Sequence, residues 1–413
     1  MNIHFKMPIL LLPVTCFLYI TCFSQQSKPV KYSRTEMEAK NVVENVLATS
    51  PVIDGHNDLF VRYFDCSTCP IDLDQYRLDS IVSGQTNIPL LREGHAGGIL
   101  MNIFGAEKTI DSYLQGWDLL YRMEDVYKRD LKIVGTAAEM KQGMQERKIT
   151  ILPSLEGATR LGNNKYLLRA YYQLGLRSVT FAYSTTQFAD GSDDTAKYNG
   201  VSTAGAEMVK EMNRLGVLID MSHISANAMS AILDVTTAPV IFSHSNARAL
   251  CDVNRNVPDS ILKRLKENNG LIMLTCVPYF TRKENTDWLD KRDSLGEALY
   301  ERFQKHPEDS SVLDKISTEW EKDNPQPVVT IADLANHFDY VKTLIGVEHI
   351  GIAGDFDGID VFIKGMENVG TYPKLLTELA RRGWTKAELK KKSSENFLRV
   401  FEDVEKVSYT YKD

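Results

Sequence analysis

Six side chains that can bind a metal ion or carry a proton stand at the carboxyl ends of short apolar runs. His56 and Asp58 follow Pro51-Val52-Ile53, which reads as a buried, β-branched strand entered from a Ser-Pro turn. Alternate side chains of a strand share a face, so His56 and Asp58 point one way and Asn57 the other. Glu156 closes Ile151-Leu-Pro-Ser-Leu155, His223 closes Val217-Leu-Ile-Asp-Met-Ser222, His244 closes Pro239-Val-Ile-Phe-Ser243, and Asp355 closes His349-Ile-Gly-Ile-Ala-Gly354. One His-x-Asp, or one histidine ending an apolar run, is ordinarily a satisfied polar pair or a capping residue. The set is harder to explain that way. His56, Asp58, Glu156, His223 and His244 suffice for two divalent ions, with Glu156 able to bridge them. Such ions ~3.5–4 Å apart, sharing a hydroxide, supply a nucleophile at neutral pH and polarise a carbonyl. Mixed nitrogen and oxygen donors suit zinc first, with manganese or cobalt as alternatives. His4, His95, His306, His337 and His349 lack this placement.

The elements that must position these groups follow from hydrophobic periodicity. Strands are predicted at Val52–Asp58, Gly98–Phe104, Thr150–Glu156, Ser178–Ala182, Val217–His223, Val240–His244, Leu271–Val277 and His349–Asp355. Helical patterns lie between them, as in Ala204–Leu215 with Met208, Val209, Met212 and Leu215 on one side. Glu36 to Ala48 is predicted to be a further amphipathic helix. Eight short apolar strands alternating with helices predict an α/β fold, a (β/α)8 barrel. The carboxyl ends of its strands converge on one mouth, where catalytic groups gather. The charged stretch 282–327 breaks the repeat and predicts a helical insertion after the seventh strand. It reads as a cover over the mouth, or else as a surface excursion or an oligomer contact, the last of which would allow a homodimer.

The ends of the chain carry a different signal. Lys6 precedes an apolar run from Met7 to Phe23, too short for a spanning helix and broken at Pro13, so residues 1–24 are expected to be a secretory signal peptide. Cys22 is an alternative lipid-attachment site, although Tyr19-Ile-Thr21 matches a lipoprotein signal poorly. Residues 25–35 read as a polar linker and 36–413 as one catalytic domain. The last residues have no hydrophobic tail, which predicts no glycolipid anchor. Removing the signal leaves Cys66, Cys69, Cys251 and Cys276, an even number that permits disulfides in an exported chain. A net charge of -7 over 413 residues argues against a nucleic-acid partner.

From Val52 to Phe401 the chain resembles the membrane dipeptidase, or renal dipeptidase, family of zinc peptidases related to the amidohydrolases. The resemblance rests on Val52–Leu59, Met212–His223, Pro239–Ser245, Arg255-Asn-Val-Pro-Asp259, Gly354-Asp-Phe-Asp-Gly358 and Asn396–Phe401. It implies a binuclear zinc site with His56 and Asp58 on one ion, His223 and His244 on the other, and Glu156 between them. It implies that Arg255 binds the carboxylate of a dipeptide, a task suited to a planar guanidinium. Asp355 would sit near the substrate amine and the scissile nitrogen as a proton carrier. Tyr183 stands where the animal enzymes have a histidine that holds the carbonyl oxygen, and its hydroxyl can donate a hydrogen bond there.

The expected function is that of an exported, periplasmic or extracellular zinc dipeptidase. The resemblance implies tolerance of D-residues at the carboxyl side and β-lactam opening as a side activity. Two rivals are another binuclear amidohydrolase acting on a different amide or lactone, and an inactive binding protein on the same fold. Arg255 argues against the first, because a neutral substrate would leave its charge unpaired. The full ligand set argues against the second.

Overall fold

The structure, a computed structural model, describes residues 31–64, 72–74, 76–80, 84–103, 109–162, 164–305 and 310–409. The signal segment, Cys22, Cys66 and Cys69 lie outside these residues. Nine strands form one all-parallel sheet: β1 Val52–Asn57, β2 Ala96–Asn102, β3 Leu131–Ile133, β4 Ile149–Leu155, β5 Ser178–Thr180, β6 Leu218–Asp220, β7 Ile241–Phe242, β8 Leu271–Thr275 and β9 Ile350–Ala353. Eight of them close a barrel, because β1 pairs with both β2 and β9 and β4 pairs with both β2 and β5. The fold is therefore the (β/α)8 barrel that the alternation predicts. The additional strand, β3, lies along the first half of β4, from Leu131↔Ile149 to Ile133↔Ile151, and β5 takes over at Ser154. Leu131-Lys-Ile133 is too short to announce itself by periodicity.

Two apolar layers hold the barrel. Inside, Ile53, Leu100, Leu152, Leu218, Ile241, Leu271 and Met273 pack together with Phe397, Val400, Phe401 and Val404 of the carboxyl-terminal helix Asn396–Tyr409. Outside, the strands bury their other faces under the surrounding helices, so both faces are apolar and the runs are nearly continuous. The helix Glu36–Leu47 begins at a capping box made by Thr35 and Glu38, and Thr203–Leu215 is capped by Ser202.

The strands end earlier than expected. Glu156 lies one residue beyond β4, His223 three beyond β6, His244 two beyond β7, and Asp355 two beyond β9. Beyond β6 and β7 the Asp220 side chain supplies the missing pairing, accepting the backbone N–H groups of Ser222 and Ser243. His223 and Asp355 both adopt left-handed backbone, at φ 68° and 58°, which no strand allows and which concentrates at functional sites.

In the stretch 282–327, helices span Lys283–Lys305 and Ser310–Asp323. Trp288 and Trp320 pack 6.1 Å apart between ring centroids, and Trp288 donates to the carbonyl of Asn324 at 2.7 Å. Leu289, Arg292 and Asp293 of the first helix reach the cavity at the barrel mouth.

Candidate active site

Strand alternation alone would turn His56 away from the barrel. Ile53 is in the interior layer, and a Cβ on Gly55 would collide with the Ser243 carbonyl oxygen 2.2 Å away, so Gly55 also faces inward. The register between β1 and β2 then slips: Asp54 faces Ile99 but Asn57 faces Met101, three steps against two. This bulge brings His56 inward directly after Gly55 and leaves Asn57 pointing out, where it donates to Thr86 at 2.9 Å. Asp54 accepts the N–H of His56 at 3.2 Å and of Gly354 at 2.8 Å, and the Tyr372 hydroxyl at 2.6 Å.

All five proposed ligands meet around Glu156. Its Oε1 lies 2.9 Å from His223 Nε2, 3.3 Å from His244 Nε2 and 3.7 Å from His56 Nε2. His56 Nε2 is 3.4 Å from Asp58 and 4.0 Å from Asp355. The ligand atoms form overlapping trios, His56–Asp58–Glu156 and Glu156–His223–His244, with His56–His244–Asp355 as a third. These donors fit metal ions. His56 Nε2 is buried with no hydrogen-bond partner, and the ring nitrogens of His223 and His244 approach each other to 2.8 Å. So close a convergence of lone pairs and carboxylate oxygens calls for a cation.

The electrostatics differ between the two halves of the site. Burial resists charge on Glu156, but His56, His223 and His244 outweigh it and hold the carboxyl well below its usual range. Burial also resists charge on His56, yet Asp58 and Glu156 raise it well above the ordinary imidazole value. Burial holds His223 and His244 below the ordinary imidazole value, assisted by Arg255 at the first and His56 at the second, the direction that favours the neutral ring a metal ion binds. Burial lifts Asp355 to about 7; His56 opposes the rise, and Asp58 and Glu156 add to it.

Arg255 lies on the wall of the same cavity, 3% exposed. It donates to Ser245 Oγ at 2.6 Å and to the His244 carbonyl at 2.8 Å, while its Nε has no partner. The guanidinium stands 5.0 Å above the Phe280 ring. Tyr183 is 64% exposed and leans its ring on His223, with centroids 4.8 Å apart. The cavity joining these groups holds about 790 Å³, within the range of ligand pockets.

Sequence reasoning passes over several residues of this site. Asn102 donates to Asp58 Oδ1 at 2.9 Å and to Glu156 Oε2 at 3.1 Å, and its own oxygen accepts the Glu156 N–H. Its signal was its place at the end of β2, masked by a predicted strand running on to Phe104. Gly358 leaves room for the two carboxylates, since a Cβ there would stand 2.2 Å from Asp58 Oδ2. Any side chain there would push the Asp58 carboxylate aside.

Residues 40–413 match the family described as membrane dipeptidase, peptidase family M19. The chain belongs to that family. It is 31% identical to an uncharacterized dipeptidase of Schizosaccharomyces pombe, covering 88% of this chain and 83% of that one. It is 34% identical to dipeptidase 3 of Rattus norvegicus, covering 86% of this chain and 66% of the relative. Among solved structures, a probable dipeptidase of Pseudomonas aeruginosa shares the fold with a TM-score of 0.76 at 24% identity, over 90% of this chain and 99% of that one. A metallopeptidase of Rhodobacter sphaeroides, solved with a phosphinate mimic of the dipeptide L-Ala-D-Ala, matches with a TM-score of 0.70 at 22% identity, over 86% and 99%.

Proposed function

We propose that this membrane dipeptidase family member hydrolyses dipeptides with two zinc ions, held by His56 and Asp58 on one side, His223 and His244 on the other, and Glu156 between. The observation that carries this reading is Arg255, a buried guanidinium with an unpartnered Nε, on the wall of the cavity that contains the carboxylate–histidine cluster. A buried cation facing a cavity is expected to meet an anion there. A substrate carboxylate anchored by a fork of donors supplies it and sets the peptide bond at a fixed distance. When bound, the ions supply a nucleophilic water at neutral pH and polarise the carbonyl.

The chain's own residues do the remainder. Asp355, beside His56 and Asp58, carries a proton toward the departing nitrogen and sits near the substrate amine. Tyr183 lies on the open side of His223, in reach of a substrate oxygen, and donates its hydroxyl to the carbonyl as negative charge develops. Asn102 holds Asp58 and Glu156 in register, and the helix Lys283–Lys305 borders the cavity. Acceptance of a D-residue at the carboxyl side is in keeping with the ligand of the Rhodobacter sphaeroides enzyme. Export fits the apolar run before Phe23, and no described helix is long and apolar enough to cross a membrane.

Stripping the metals with a chelator should abolish hydrolysis of a simple dipeptide, and zinc should restore it. Full turnover by protein shown to be metal-free would contradict the proposal.

A further inference from the structure

Asp220 lies outside the ligand set and is 1% exposed, yet every position on its carboxylate is used. Oδ1 accepts the backbone N–H of Ser222 at 3.0 Å and of Ser243 at 2.9 Å. Oδ2 accepts the hydroxyl of Ser243 at 2.6 Å and that of Thr180. These bonds join the ends of β5, β6 and β7. Ser243 Oγ also lies 2.7 Å from His244 Nδ1.

The direction of these bonds follows from counting hydrogens. A carboxylate only accepts, and Asp220 Oδ2 at 2.6 Å is a much nearer acceptor for Ser243 than Ser222 Oγ at 3.4 Å, so Ser243 commits its single proton to Asp220 and its oxygen is left to accept. His244 Nδ1 must then carry the ring hydrogen, and the Nε2 lone pair is bare where it faces Glu156 Oε1. Ser222 Oγ, in the same network, accepts the backbone N–H of His244 at 3.1 Å. We propose that Asp220, acting through Ser243, is a positioning residue that fixes the tautomer of His244 and so keeps its Nε2 available to a metal ion. The inference rests on the binuclear reading of the site and extends it to one half of the centre. His56, in the other half, is braced by Asp54 through its backbone alone.

Two substitutions separate this relay from simple packing. Asp220→Asn is nearly isosteric, but the amide donates where Oδ2 accepted. Ser243 then turns its proton to His244 Nδ1 at 2.7 Å, nearer than its other acceptor, Ser222 Oγ at 3.4 Å; the ring hydrogen moves to Nε2, and the metal position is blocked. Ser243→Ala removes the acceptor without imposing the wrong tautomer. The test uses full-length protein stripped of metal and titrated with Co²⁺, read by visible absorption, together with ¹⁵N shifts of the histidine rings. Wild type should take up two ions and show His244 protonated at Nδ1 when metal-free. Ser243→Ala should weaken one ion about tenfold and Asp220→Asn about a hundredfold, the span usual for outer-sphere partners of a metal-bound histidine. The other ion should be unaffected. Wild-type affinity for both ions in Asp220→Asn, or a metal-free wild type protonated at His244 Nε2, would overturn the proposal. If Asp220→Asn does not fold, Ser243→Ala and the wild-type ring shifts decide. A wild type that takes up two ions but hydrolyses no dipeptide would contradict the proposed function and leave this test intact.

Discussion

Tyr183 is the most exposed of the three side chains proposed to meet the substrate, with Arg255 and Asp355 both buried. Its ring rests on His223 and most of it faces the cavity, so the hydroxyl is free to meet a substrate. If it donates to the developing oxyanion, Tyr183→Phe should lower kcat by roughly 10²–10³ and leave metal content intact. Steady-state kinetics with metal analysis on the same preparation check this; an unchanged kcat would move the role wholly onto the ions. The candidate ligands were readable because each is an ionisable residue at the carboxyl end of an apolar run. Asp54, Asn102 and Asp220 carry equal structural weight but look like ordinary polar residues of the same runs. Their importance lies in which backbone N–H groups and side chains they meet, and that depends on neighbouring strands.

The eight strands of the barrel were legible from periodicity, whereas β3 and the departures from regularity were not. The one-residue slip in β1 that turns His56 inward has only Gly55 as its sign, and a glycine in a strand has several readings. The π-helical turn Lys391–Glu395 is a second departure, and it buries Lys392. Its ammonium lies 4.8 Å from the centre of the Phe338 ring and has no hydrogen-bond partner. Burial pulls its pKa down to about 7, with Cys276 opposing the fall. In the unfolded chain the lysine holds its proton up to about pH 10.4. Between those two values only the unfolded state is protonated, so stability falls as pH drops from about 10.4 to 7 and then stays level. At pH 7 the cost is of order 4 kcal/mol. Lys392→Met should therefore raise the melting temperature, with a larger gain at pH 7 than at pH 10. Equal gains at the two values would show that the lysine is not buried in its neutral form.

At the scale of the whole molecule, the closed barrel gathers loops from β1, β4, β6, β7 and β9 at one mouth, and the insertion after β8 adds a wall. Arg292 of that insertion pairs with Asp360 at 2.9 Å, tying the wall to the loop that follows β9. The barrel was predictable by counting strands, because eight buried parallel runs leave few other closures. The sequence left the place of the charged insertion open between two readings, and Leu289, Arg292 and Asp293 on the cavity wall put it beside the mouth. In the proposed function this enclosure selects dipeptides, with Arg255 fixing one end of the substrate and Asp355 the other. A carboxylate on Arg255 gains about 1.5–3 kcal/mol as a charge-assisted contact, and losing it also leaves a buried guanidinium without an anion. The most direct measurement is kcat/KM of the wild-type enzyme for one dipeptide and for its C-amidated form. A drop of at least roughly 10²-fold on amidation is the result expected from that loss. Equal kcat/KM on the two substrates would contradict it.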